Sequence, residues 1–132
     1  MSDVKCYEIT WREMTFKPVI RVDVDFEKFN IEEALQMLES YGLLEDTRLI
    51  VINDIEEVAK LLIRVITWSL FCNLFEKARN TKDANTLLRK ARLRKSNNTP
   101  GKFEHIGIHF VSISNWENNY LNSVTVTKCE DW

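Results

Sequence analysis

The sequence predicts an α+β fold in which an antiparallel sheet of about four strands packs on helices, in the order ββ-ααα-ββ. Alternating polar and apolar residues mark both ends of the chain, and apolar residues three and four apart mark the region between about residues 30 and 95. The first pattern is typical of half-buried strands and the second of amphipathic helices. Strands at both ends with helices between them favour a sheet that helices cover on one face.

The length predicts a single domain, residues 1–132, whose core is large enough to fold without a metal ion or a disulfide. Only three glycines and two prolines occur, which argues against disorder. The three cysteines include no CxxC pair, which favours a reducing compartment, and we interpret Cys72 as a small hydrophobe within a helix. Because the N-terminus lacks a signal-peptide pattern, we expect a cytoplasmic protein.

The first two strands are predicted to form an antiparallel hairpin. Residues 4–11 alternate with mixed faces, and a tight connection near residues 12–14 leads to a second strand. That strand has a clean apolar face and a polar face, which is typical of a half-buried strand. The apolar face comprises Ile20, Val22, Val24 and Phe26, and the polar face comprises Arg21, Asp23 and Asp25.

Three helices are predicted to follow the hairpin. Asn30 is the expected N-cap of the first helix, with Glu33 at capping-box spacing, and Gly42 is its expected C-cap. Residues 48–53 fit either a short buried strand or the start of the next helix. The second helix extends from about Ile55 to Ala78.

The second helix is unusually apolar. Its first half carries a polar stripe that includes Lys60 and Arg64, whereas its second half, with Trp68, Phe71 and Phe75, is apolar nearly all round. We interpret these three aromatic residues as part of the core or of a homodimer interface. Each of the two cations would cost about 2.5–3.5 kcal/mol near a bilayer centre, so we expect no membrane span.

The third helix, from Asp83 to about Lys95, is basic. Residues 77–102 contain nine basic side chains and one acid, whereas residues 1–57 contain fourteen acids and six bases. The cations that we expect to contact a partner are Arg89, Lys90, Arg92, Arg94 and Lys95. They suit an acidic protein surface, a phosphate backbone, or solvent and the acidic half of the same chain. No aromatic residue interleaves them, which weakens a base-stacking interpretation.

The end of the chain is predicted to return to the sheet. After a loop at residues 96–101, residues 103–114 form a strand, and Val124–Thr127 form a last short strand. The Asn-rich loop between them carries Trp116 and Tyr120. These are candidate partner-binding residues, because aromatic side chains bury much area at low entropic cost. The alternative is that one or both rings fold back on the sheet.

No local motif indicates catalysis or a cofactor. The sequence has no phosphate loop, nucleophile elbow, zinc-protease motif or dinucleotide fingerprint. On one strand His105 and His109 would share a face about 13 Å apart, too far to bind one metal ion. Asp23 and Asp25, about 6.6 Å apart, either hold a divalent metal or form a solvated sheet face. We predict no catalytic residue, no metal and no cofactor.

The layout resembles that of small proteins encoded by phages and prophages. The resemblance covers most of the chain: the hairpin leading into Val22–Phe26, the helices that follow, and Gly101–Ile108, which opens the late strand. It implies no catalytic residue. It implies a small stoichiometric binder, such as an inhibitor of a host or defence enzyme, anti-CRISPR proteins included.

The function predicted from the sequence is protein binding without catalysis. We expect a phage-derived inhibitor or modulator that contacts an acidic surface of a host or defence protein. A nucleic-acid-binding module that uses the basic helix, residues 87–95, is the first alternative. A hydrolase or nuclease that uses Asp23 and Asp25 is the second.

Overall fold

The structure is a computed structural model that describes residues 3–11, 17–42, 54–95, 99–117 and 127–129. The described elements, in chain order, are β1 (Val4–Thr10), β2 (Val19–Asp25), α1 (Ile31–Ser40), α2 (Ile55–Lys77), α3 (Thr81–Leu93), a 3₁₀ helix (Pro100–Ile106) and β3 (Ile108–Ser114). Within the described residues the strands form one antiparallel sheet in the order β1-β2-β3. The α+β class is therefore confirmed. The predicted fourth strand lies outside the described residues except for Thr127, and so does the segment 48–53.

The hairpin of β1 and β2 forms as the alternation predicts. Val4 lies opposite Asp25 and Thr10 lies opposite Val19, with antiparallel pairing throughout. The apolar face of β2 is fully buried in the core, whereas Arg21 on the opposite face is exposed. The predicted turn near residues 12–14 lies outside the described residues.

The third strand starts later than the sequence predicts. Residues 100–106 form the 3₁₀ helix instead of the first part of a strand, and β3 begins at Ile108. Gly107, with φ of 89°, separates the two elements. A Cβ atom at this position would lie 2.5 Å from the carbonyl oxygen of Asp25, so the chain passes β2 too closely for a side chain. The prediction that His105 and His109 share one strand face is therefore wrong.

The first helix is capped as predicted. The side chain of Asn30 accepts a hydrogen bond from the backbone N–H of Glu33 at 3.1 Å. At the other end Gly42, with φ of 76°, donates its N–H to the carbonyl of Glu39 at 2.9 Å. These bonds satisfy backbone groups that a helix terminus leaves without partners.

The long helix α2 forms the centre of the core. Asp54 caps it by accepting hydrogen bonds from the N–H groups of Glu56 and Glu57. The helix has the length and composition of a membrane span, but half of its most apolar window is buried within the fold. The residues that it buries are Val58, Ala59, Leu62, Ile63, Ile66, Thr67, Leu70, Phe71 and Leu74.

Two aromatic rings from other parts of the described chain pack against the second half of α2. Trp116 stacks on Phe71 with 5.5 Å between ring centroids, and Trp11 contacts the same ring edge-on at 4.9 Å. Trp68 remains 59% exposed, and Cys72 is exposed as well. Trp68 therefore does not belong to the core of the single chain, and for this residue the homodimer interface stays a prediction. Cys72, which we interpreted as a small hydrophobe, is not buried in the core.

Candidate protein-binding surfaces

The predicted basic helix presents an exposed surface at its C-terminal end. Four of the five predicted cations are exposed, and Leu93 between them is 83% exposed. We call these residues the basic surface: Arg89, Lys90, Leu93, Arg94 and Lys95. The helix ends at Leu93, and Arg94 adopts an extended conformation. A Cβ atom on Gly101 would collide with the carbonyl oxygens of Arg92 and Arg94, so close backbone packing fixes the path of the chain there.

No ion pair within the described residues neutralises the basic surface. Among the described residues, the only side-chain hydrogen bond that these cations donate runs from Arg89 to the Thr86 hydroxyl, at 3.4 Å. Acids of the N-terminal half instead pair elsewhere, as Glu33 does with His105 at 2.5 Å and Glu56 with Lys5 at 3.1 Å. The ion pairs of the described residues therefore do not support the alternative in which the acidic N-terminal half of the chain neutralises the basic helix.

The fifth predicted cation, Arg92, is turned toward the sheet. Its Nη1 donates to the carbonyl of Phe110 at 3.1 Å and to Nε2 of His109 at 3.2 Å. Because arginine can only donate, Nε2 accepts, and Nδ1–H of His109 donates to Glu104 at 2.9 Å. Its guanidinium therefore holds α3 against β3 through Nη1, and because the side chain is half-buried we leave Arg92 out of the basic surface. That Arg92 contacts a partner stays a prediction.

Two further side chains of α3 bond to the same side of β3. Asn85 donates to the carbonyl of Ile113 at 2.7 Å and accepts from its N–H at 2.9 Å. Thr81 accepts from the N–H of Trp116 at 3.0 Å, just beyond the strand. We call the outer side of β3, with Thr81, Asn85 and Arg92 bound to it, the closed edge. Sequence analysis missed it, although an asparagine inside a helix, beside an apolar stripe, is a signal for such a bond.

Trp116 belongs to the core and not to a partner-binding surface. Its side chain is fully buried, and Nε1 donates to the carbonyl of Ala78 at 3.0 Å. The ring folds back because it closes the aromatic cluster around Phe71 and Phe75, with 5.3 Å between the Trp116 and Phe75 centroids. The predicted contact residue Tyr120 lies outside the described residues.

The three aromatic residues of α2 have different environments. Phe71 is buried and Phe75 is half-buried, so both contribute to the core. Trp68 is the exposed member, and it stacks on Trp11 at 5.4 Å with an interplanar angle of 25°. Sequence analysis did not single out Trp11. The signal for Trp68 was its place four residues after Arg64, which continues the polar stripe of α2.

The start of β1 is tied to α2 by a polar cluster. The hydroxyl of Tyr7 donates to Glu56 at 2.8 Å, and Lys5 donates to the same carboxylate oxygen at 3.1 Å. These two hydrogen bonds lower the pKa of Glu56. Partial burial and then the bond to Glu56 raise the pKa of Tyr7 far above its usual range, which keeps it a donor at neutral pH.

The carboxylates considered for a hydrolase lie on the wall of a shallow cavity. Asp23 and Asp25 line a shallow cavity of about 200 Å³ together with Glu104 and His109. Asp23 lies 3.9 Å from Arg21, and Asp25 accepts a hydrogen bond from the N–H of Glu27. Within the part of the chain that the structure describes, no three His, Cys, Asp or Glu side chains are grouped to hold a metal ion.

Comparison with protein-family models finds no match to this chain, and comparisons with curated proteins and with solved structures find none either. The surfaces therefore have to be interpreted from their own chemistry.

Proposed function

We propose that this protein is a non-enzymatic binding protein whose basic surface docks on an acidic patch of another protein. The observation that carries the proposal is the arrangement around Leu93. Four exposed cations lie within four residues of an 83% exposed leucine in the chain, and none of them forms an ion pair with a described residue. Such a surface has charge for attracting a partner and an apolar side chain to bury in it.

The cations and the leucine of this surface should contribute to binding in different ways: the cations mainly to the association rate, and the leucine to the affinity. Exposed cations mainly accelerate association with an acidic partner, and salt weakens their effect. Burial of the Leu93 side chain would supply about 1.5–3 kcal/mol of affinity that salt does not screen. We therefore expect a complex that forms more slowly at high salt but keeps part of its affinity.

The biological role that we propose is inhibition or modulation of a host or defence protein in the cytoplasm. This part of the proposal rests on the resemblance to small phage-encoded proteins. A stoichiometric binder is supported by a surface in which exposed cations lie close in the chain to an exposed apolar side chain.

Nucleic acid is the second candidate partner, because unpaired cations also suit phosphates. The exposure of Leu93 favours protein, because a leucine next to these cations in the chain would face the phosphate backbone with no apolar group to contact. A duplex-DNA titration separates the two. Each phosphate contact should contribute about 0.9 to the slope of log affinity against log salt, and loss of that slope on charge reversal would identify nucleic acid as the partner.

The test compares two double variants with equal charge change. Arg89→Glu/Arg94→Glu reverses the basic surface, whereas Lys77→Glu/Lys82→Glu reverses exposed cations elsewhere. Proteins captured from a bacterial lysate at stoichiometric level with wild type should be lost with the first variant and kept with the second. Equal capture by both variants would contradict the proposal.

The variant Leu93→Ala measures what the apolar side chain contributes to binding, separately from the contribution of the cations. Truncation of an exposed side chain should leave the stability of the isolated protein within about 0.5 kcal/mol of wild type. Against the captured partner, we expect faster dissociation with an unchanged salt dependence of association. Unchanged dissociation would show that the cations act without the leucine.

A further inference from the structure

We propose that the groove between β1 and α2 binds an extended acidic segment of a partner protein, which adds to β1 as a further strand. This site is separate from the basic surface and goes beyond the function proposed above. The groove encloses about 360 Å³, and we define it by its lining residues: Tyr7, Glu8, Ile9, Thr10, Lys60, Ile63 and Arg64. One wall is a strand and the other is a helix, which is the geometry in which extended peptides bind by strand addition.

The backbone of β1 has hydrogen-bonding groups directed away from β2. The N–H of Phe26 donates to the carbonyl of Asp3 at 2.9 Å, and this bond shows which alternate residues of β1 form backbone hydrogen bonds with β2. Residues of the same parity as Asp3 bond to β2, because bonded and non-bonded pairs alternate in antiparallel strands. The residues of the other parity direct their N–H and C=O groups outward: Val4, Cys6, Glu8 and Thr10.

These outward groups have no backbone partner among the described residues. The described sheet places β1 at its end, and all four residues of this parity are exposed. The strand has no bulge against β2 and contains no proline. An edge with these properties is a template for another strand. We call the outer side of β1 the open edge.

The helix wall of the groove determines which side chains an added strand can carry. Alternate side chains of that strand would face α2, where Ile63 is buried and Lys60 and Arg64 lie one turn apart on the same face of the helix. Arg64 is exposed and has no ion pair with any described residue. Lys60 has a 3.5 Å contact with Glu57, one turn away, and its Nζ lies 6.0 Å from the centroid of the Tyr7 ring. The complementary segment therefore has acidic residues at alternate positions.

An aromatic platform lies at one end of the groove. Trp68 is one turn after Arg64 on α2, and Trp11 follows the end of β1 directly. The two rings stack at 5.4 Å, and Trp68 is 59% exposed. An exposed tryptophan supported by a second ring is a rigid apolar contact of the kind that dominates binding energy. We therefore expect an apolar side chain in the partner segment beyond its acidic residues.

The experiment uses the full chain and a displayed library of random seven-residue peptides. Enriched peptides should have acidic residues at every second position, next to an apolar residue. A synthetic peptide from the selection should then bind Arg64→Glu about fivefold or more weakly than wild type. Lys82→Glu carries the same charge change at an exposed position outside both the groove and the basic surface, and should bind like wild type. Absence of the alternate acids, or equal binding by Arg64→Glu, would overturn the proposal.

Amide hydrogen exchange tests the strand addition itself. The amides of Cys6 and Glu8 face outward, so they should exchange quickly in the free protein and slowly with the peptide bound. The amides of Tyr7 and Ile9 already bond to β2 and serve as the internal reference. A peptide that binds without protecting Cys6 and Glu8 would show that strand addition is wrong.

A second copy of this chain is the competing occupant of the groove. Light scattering should give the mass of a monomer for the wild-type protein. A dimer that Trp68→Ala or Arg64→Glu converts to a monomer would overturn the proposal in favour of self-association. The basic surface takes no part in these measurements, so this proposal and the proposed function can fail separately.

Discussion

The two outer strands of the described sheet differ in whether their outer edges are covered. The closed edge of β3 is covered by α3, which bonds to it through Thr81, Asn85 and Arg92. The open edge of β1 faces a groove and has no such cover among the described residues. Exposed strand edges promote unwanted pairing with other chains. An edge that stays exposed in a sheet whose other edge is protected therefore suggests a binding role for the exposed edge. The difference separates a structural side of the molecule from a side available for binding.

The closed edge depends on regular spacing along one helix. Thr81 and Asn85 are four residues apart, and Arg92 follows seven residues later, so the three side chains lie on one face of α3. The same face buries Ala84 and Leu88 in the core. Polar bonds to the strand and apolar burial therefore act together, and Arg89 and Lys90 are left to face outward.

Replacing the ring that anchors the closed edge should have the largest effect. We expect Trp116→Ala to lower the free energy of unfolding by about 3–5 kcal/mol, because the fully buried indole fills the space beside Phe71 and Phe75. Urea denaturation measures this. Trp68→Ala is the matched control at the open side and should cost far less, since that ring is 59% exposed. Equal losses in the two variants would contradict the distinction between the sides.

Removing one bond donor from the closed edge should have an intermediate effect. Asn85→Ala leaves both the N–H and the C=O of Ile113 without their side-chain partner, at an expected cost of about 1–3 kcal/mol. The Ile113 amide should also exchange faster. Lys82→Ala, an exposed change on the same helix, should stay within about 0.5 kcal/mol of wild type. If Asn85→Ala behaves like Lys82→Ala, the edge is not held by this side chain.

The smallest effect is expected at the open edge, where Glu56 connects β1 to α2. The pKa of Glu56 is lowered in the folded state by its bonds from Tyr7 and Lys5. Folding therefore gains stability from the ionised carboxylate above the unfolded pKa of about 4.3, and loses it as the pH falls through the folded pKa. Glu56→Gln should be less stable than wild type at neutral pH and equally stable at strongly acidic pH. A difference that persists in acid would assign the effect to packing.

Local patterns in the sequence were sufficient for much of the fold. The alternation of β2, the Asn30 cap and the three helices depend on residues two to four positions apart, and the structure has each of them. The exposure of Arg89 and Lys90 fits the polar side of the predicted third helix, whereas that helix ends at Leu93, so Arg94 and Lys95 lie beyond it. Partner, function and cellular location stay predictions.

Tertiary structure alone decided what depends on residues far apart in the chain. The start of β3 was set by the approach of Gly107 to Asp25, and the burial of Trp116 by rings more than forty residues earlier. The bond from Arg92 to Phe110 left one cation out of the basic surface. The sequence by itself determined which segments are helices and strands because those signals are local. Which of two tryptophans is covered, and which edge of the sheet stays open, depends on packing between segments that no local pattern records.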